Sequence, residues 1–114
     1  MPDKNIINLS EALEQLGDSE FYLELLDEFI AGLAEKKELI NQALASGIDN
    51  DLRMVSHSLK GVSANLHLPS IQQAAAELEN AAKEENKSEL VSLAETLLNE
   101  FDRLLQERAL IITE

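Results

Sequence analysis

The sequence predicts an all-α protein, and three observations carry that expectation. Leu, Ala and Glu are abundant while aromatics are few, only Phe21, Tyr22, Phe29 and Phe101, and unbranched side chains lose little rotamer freedom in a helix. Apolar residues recur in steps of three and four, and no segment shows the alternation of a strand. Gly17, Gly47 and Pro69 punctuate the chain and leave long uninterrupted stretches between them.

Five helices follow in order. The first follows Leu9-Ser10, with Ser10 as its N-cap, and stops near Gly17. The second begins after Asp18-Ser19 and runs to about Ala45, with Tyr22, Leu26, Phe29, Leu33, Ile40 and Leu44 on its apolar face. Gly32 falls in its middle, where close helix packing would account for it. The third starts after Asp49, ends near His67 and carries Leu52, Val55, Leu59, Val62 and Leu66. Pro69 suits the first turn of the fourth, where a missing N–H costs nothing, and Leu68, Ile71, Ala75, Leu78 and Ala82 form its stripe. After the polar run Glu84-Glu85-Asn86-Lys87, Ser88 caps a fifth helix through Leu90, Leu93, Leu97, Phe101 and Leu104. Such stripes must bury on one another. The expected fold is a single domain over 1–114, an antiparallel up-down-up-down four-helix bundle with a short extra N-terminal helix. Each stripe is consumed by that core, so a monomer is expected.

Composition removes whole classes of function. The chain has 114 residues and no cysteine, which excludes disulfides, thiolate metal sites and thiol catalysis. Its formal net charge of −13 would be repelled by phosphate backbones and anionic lipid. Neither nucleic acid nor a membrane surface is an expected partner. No apolar run approaches the roughly 20 residues of a membrane span. The opening Met1-Pro2-Asp3-Lys4-Asn5 does not read as an export signal, so a cytoplasmic address is expected.

The third helix holds the chemistry. Arg53, His57, Lys60, Gly61 and Ala64 form a second face beside the apolar stripe. His57 lies about 200° around the axis from Leu59 and should point away from the core. Gly61, one turn on, costs about 1 kcal/mol relative to Ala in a helix interior. On an outward face it opens room beside the imidazole for another protein. No Asp or Glu occurs from 52 to 76, and the only cations there, Arg53 and Lys60, flank His57. A locally positive face around an exposed imidazole suits a phosphoryl group, whose oxygens Lys neutralises as a mobile point charge. If the third and fourth helices form an antiparallel hairpin about residue 68, Glu79 comes level with His57. It would then accept a hydrogen bond from Nδ1–H and leave Nε2 free, with an ordinary solvent-facing Glu as the alternative.

The segment His57-Ser58-Leu59-Lys60-Gly61-Val62-Ser63-Ala64-Asn65-Leu66 resembles the His-x-x-Lys-Gly signature of histidine-containing phosphotransfer (HPt) domains. Leu16-Gly17-Asp18 with the following Phe21–Phe29 stretch is similar to that family's opening helix pair, and Leu78-Glu79 to its usual Leu-Glu. One position departs: His67 stands where the family commonly has glycine.

The resemblance implies a phosphorelay shuttle with His57 as phosphoacceptor and Lys60, Gly61 and Glu79 around it. Its partners would be the receiver domains of a hybrid sensor kinase and of a response regulator. The receiver would supply the carboxylates and Mg²⁺, so the chain needs no cofactor, metal or ATP site of its own. Two readings use the same face: an adaptor that binds receivers without taking phosphate, and a kinase-fused domain phosphorylated directly by a catalytic domain. A metal site joining His57 and His67 is disfavoured by their separation, about 15 Å along a helix, and by their different facing. A hydrolase lacks any Ser or Asp arranged beside His57. Met54 and Ala64 are expected to rim the docking face.

Overall fold

The computed structural model describes residues 7–47, 49–84 and 87–111. Met1–Asn5, and Glu85 and Asn86 of the polar run, lie outside that set. The described residues form α1 (Leu9–Leu16), α2 (Ser19–Ala31), α3 (Leu33–Ser46), α4 (Asp49–Asn65), α5 (Pro69–Lys83) and α6 (Lys87–Ala109). Among them there is no strand. The helices pack as a bundle: α4 lies most extensively against α5, α5 against α6, and α3 against both α4 and α6. Leu26, Ile40, Leu52, Leu59, Ile71, Leu78, Leu97 and Leu104 are fully buried between them, each such side chain contributing about 2 kcal/mol relative to exposure.

Several boundaries differ from the sequence expectation, each for a local reason. Asn8, not Ser10, caps α1, its Oδ1 accepting from Glu11 N at 3.2 Å; α6 begins at Lys87, before Ser88. The long second helix is two segments. Gly32 sits between them at φ −91°, ψ 0°, its N–H bonded to Phe29 O at 3.1 Å in one tightened turn. A Cβ there would meet only backbone oxygens, the nearest at 3.6 Å, so close helix packing does not explain this glycine. Gly17 and Gly47 end α1 and α3 at φ 72° and 73°, the left-handed closure that glycine adopts without a Cβ penalty.

The stripe of α4 is also shifted. Val62 is 41% exposed, while Ser56 and Ser63 are wholly buried. Each serine satisfies itself: Ser56 Oγ donates to Leu52 O at 2.7 Å and Ser63 Oγ to Leu59 O at 2.6 Å, the back-bonding that lets a hydroxyl sit inside a helix interface. On α5, Ala74, Ala75, Ala81 and Ala82 are buried too. Small buried residues let helix axes approach closely, which brings the surface rims of α4 and α5 together.

The corner between α4 and α5 is tied down from three sides. Leu68 N bonds Ser63 O at 2.9 Å and His67 N bonds Ala64 O at 3.2 Å, a Schellman closure with His67 in the left-handed position at φ 59°. Tyr22 OH donates to Leu66 O at 2.6 Å. Burial, with Glu107 nearby, pushes that phenol up to about 12, so it stays a donor. His67 O accepts from Asn8 N at 2.9 Å, and the ring reaches Glu11 Oε1 at 3.3 Å and Gln15 Oε1 at 3.0 Å. The departure from glycine thus exchanges backbone ease for a clasp on α1. His67→Ala, which keeps the strained backbone and loses the clasp, is expected to cost about 1–2 kcal/mol. His67→Gly should cost less, because it also relieves the strain. Urea unfolding of the two variants checks this, and a glycine variant less stable than the alanine one contradicts it.

Candidate functional site

His57 stands on the outward face of α4 with 69% of its side chain exposed. Its neighbours on the apolar stripe, Leu52, Val55 and Leu59, hold the helix down, and the 200° offset from Leu59 turns the imidazole out. The antiparallel hairpin brings Glu79 of α5 level with it. His57 Nδ1 lies 2.9 Å from Glu79 Oε2, and Lys60 Nζ lies 2.8 Å from Oε1 of the same carboxylate. Lys60 is partly exposed at 37%, whereas the Glu79 side chain keeps only 8% of its surface. The lysine contact is poorly aligned for a hydrogen bond, and Oε1 has no better-aligned partner among the described residues, so it is an ion pair first.

Electrostatics assigns the protons. The Lys60 ammonium holds the Glu79 carboxyl below its ordinary value; burial opposes this, and the His57 hydrogen bond adds to the lowering. An ionised carboxylate accepts and cannot donate. Nδ1 must therefore carry a proton, and in the neutral ring this leaves the lone pair on Nε2. Nε2 has no hydrogen-bond partner among the described residues. An exposed imidazole nitrogen with a fixed lone pair is a nucleophile without a base to recruit.

Gly61 is exposed, and a Cβ built on it would meet nothing within 4 Å. No packing demand of this chain calls for a glycine there. Lys60 shares the face with His57 as the sequence expects, but its ammonium rests on Glu79, a contact that spacing along one helix did not reveal. Arg53 lies one turn before His57 and donates from Nη2 to Asn50 Oδ1 at 2.7 Å. Toward α3 the surface turns apolar: Met54 is 60% exposed, and Leu39, Ala43, Met54, Val55 and Ser58 line a groove of about 540 Å³. On the α2 side Leu25, Phe29, Val62 and Leu66 border a second groove. Ala64, expected on the rim, is half-buried. No helix among the described residues is long and apolar enough to cross a membrane.

Comparison with known proteins gives the family and the fold. The family described as Hpt domain matches residues 24–107. The crystal structure of histidine-containing phosphotransfer protein B (HptB) from Pseudomonas aeruginosa PAO1 is similar to this chain. The two share 29% sequence identity with a TM-score of 0.75, over 91% of this chain and 92% of that one. No curated protein sequence matches. With more than half of its length matched by the family and the helical bundle shared, the chain belongs to the Hpt-domain family, whose members carry out histidine phosphotransfer in phosphorelays.

Proposed function

We propose that His57 accepts a phosphoryl group from the aspartyl phosphate of a receiver domain and returns it to the aspartate of a second receiver. The observation that supports this most is the exposed imidazole whose Nδ1 is held at 2.9 Å by a buried carboxylate. In the first step Nε2 attacks phosphorus in line. The P–N bond forms, the acyl-phosphate P–O bond breaks, and the receiver's aspartate leaves as carboxylate. The Nδ1 proton stays in place, so the phosphorylated ring is cationic and faces Glu79. That charge keeps imidazole a good leaving group for the reverse step toward the next receiver. The receiver contributes its carboxylates and Mg²⁺; the chain contributes nucleophile, orientation and cation, and works as a monomer.

Lys60 serves the same site twice. In the unphosphorylated chain it neutralises Glu79 at 2.8 Å. Its four-carbon stem also lets the ammonium swing to the phosphoryl oxygens once they arrive. The exposed Met54 and Val62 give a receiver a modest apolar seat that releases quickly. Incubation with one phosphorylated receiver, followed by addition of a second, tests the shuttle. Label should appear on the chain and then leave it for the second receiver; a chain that binds both receivers and never takes label is an adaptor instead.

Gly61 gives a sharper check, because stability and transfer should move in opposite directions. Gly61→Ala is expected to stabilise the chain by about 0.5–1 kcal/mol, since the site is helical and open. Gly61→Gln should slow transfer from a receiver by roughly tenfold through lost clearance, a change of about 1.4 kcal/mol in barrier. Thermal unfolding and receiver-dependent labelling read the two effects, and unimpeded transfer by the glutamine variant would remove Gly61 from the site.

A further inference from the structure

Cysteine is absent, and besides Met1 the chain holds a single sulfur, the thioether of Met54. It lies three residues before His57 on α4, about 4.5 Å along the helix axis. A methionine used to fill a core would be covered. This one is largely exposed, and it borders the groove toward α3 together with Leu39, Ala43 and Val55. The one oxidisable side chain of α4 therefore stands in the open, one turn from the reactive imidazole.

Its sulfur also has a donor aimed at it. Asn50, one turn earlier, places Nδ2 at 3.5 Å from Met54 Sδ, while Asn50 Oδ1 accepts from Arg53 Nη2 at 2.7 Å. A guanidinium only donates, so the carboxamide oxygen is committed to Arg53 and the amide N–H must face the sulfur. A thioether is a weak acceptor and makes little use of that N–H. An oxygen added to the sulfur would be a polar acceptor at the same place. The Arg53–Asn50 pair thus holds ready a donor that the reduced side chain hardly needs and the oxidised one would engage.

We propose that Met54 is a reversible oxidation site whose sulfoxide turns phosphotransfer down; the inference rests on the phosphoacceptor reading above. The oxidant is a hydroperoxide, in the simplest case hydrogen peroxide. The sulfur attacks one peroxide oxygen; the S–O bond forms, the O–O bond breaks and hydroxide leaves. Hydroxide then takes the proton from the new S–OH, giving the sulfoxide and water. Sulfur loses two electrons and the peroxide gains them. The product replaces a flexible apolar side chain with a polar one in the apolar seat beside His57. The cluster of His57, Glu79 and Lys60 is left as it was, so receiver binding weakens and the chemical step does not.

In the test, the chain alone is treated with hydrogen peroxide, the peroxide is removed with catalase, and label transfer from an untreated phosphorylated receiver is timed across receiver concentrations. Peptide mapping by mass should place one added oxygen on Met54. The second-order rate should fall roughly fivefold while the rate at saturating receiver holds, and methionine sulfoxide reductases should restore the loss. Met54→Leu should keep its own rate, whatever that is, before and after peroxide. Untreated Met54→Gln, polar and of similar length, should match the oxidised wild type. The proposal is overturned by a Met54 that resists peroxide under conditions that oxidise free methionine, by oxidation that leaves transfer unchanged, or by an equal loss in treated Met54→Leu. An untreated wild-type chain that takes no label from any receiver overturns the phosphoacceptor reading itself, which keeps the two failures distinct.

Discussion

His57→Gln is expected to abolish phosphoryl uptake, lowering receiver-dependent labelling by at least about a thousandfold, or roughly 4 kcal/mol of transition-state stabilisation. Glutamine preserves size and polarity and offers no nitrogen lone pair. The ring is 69% exposed and lies outside the core, so the variant should unfold at nearly the wild-type urea concentration. Label on the wild type should be acid-labile and base-stable, as a P–N bond is. Label persisting on the variant with the same lability would place the acceptor elsewhere.

The second large effect belongs to Glu79. Replacing it with alanine frees Nδ1, lets the ring exchange tautomers and releases Lys60; transfer should fall by roughly 10–100-fold, the usual cost of losing a group that orients a functional histidine. Glu79→Gln keeps an acceptor for Nδ1–H but no charge, and should fall between the two. Stability supplies an independent readout. The folded carboxyl is held below its ordinary value of 4.5, by Lys60 first. Its contribution is therefore fully present above that value and is lost as pH falls from 4.5 through the lowered value. The wild-type advantage over Glu79→Gln in urea unfolding should stay constant above about pH 5 and shrink below it. An advantage unchanged down to about pH 3 would show that the carboxylate is not held by its partners.

Much of this site was legible in the sequence because helices obey a short-range period. The offset of His57 from Leu59 needs only the helical repeat, and the level placement of Glu79 needs only a hairpin turning near residue 68. The Lys60–Glu79 ion pair was not legible. A long flexible side chain can serve a phosphate or a carboxylate, and only the closeness of α4 and α5 selects the carboxylate in the unphosphorylated chain.

The fold shows the same division. Leu52, Val55 and Leu59 announce the core face of α4, whereas Ser63 replaces Val62 there because a serine can satisfy its hydroxyl on the preceding turn at 2.6 Å. Asn8 and Ser10 are both competent caps, and where the first turn closes decides between them. Gly32 breaks the second helix, although one glycine is compatible with a continuous one. His67 could not be read at all as a clasp, since its partners Glu11 and Gln15 lie more than fifty residues away along the chain.

With Glu79 fixing the proton on Nδ1, Nε2 of His57 is the atom that should carry the phosphoryl group. NMR of the chain with nitrogen-labelled histidine, before and after incubation with a phosphorylated receiver, tests this most directly. Phosphorus should couple to Nε2 of His57, with Nδ1 protonated in both states. Phosphorus on Nδ1, on His67 or on any carboxylate would contradict it.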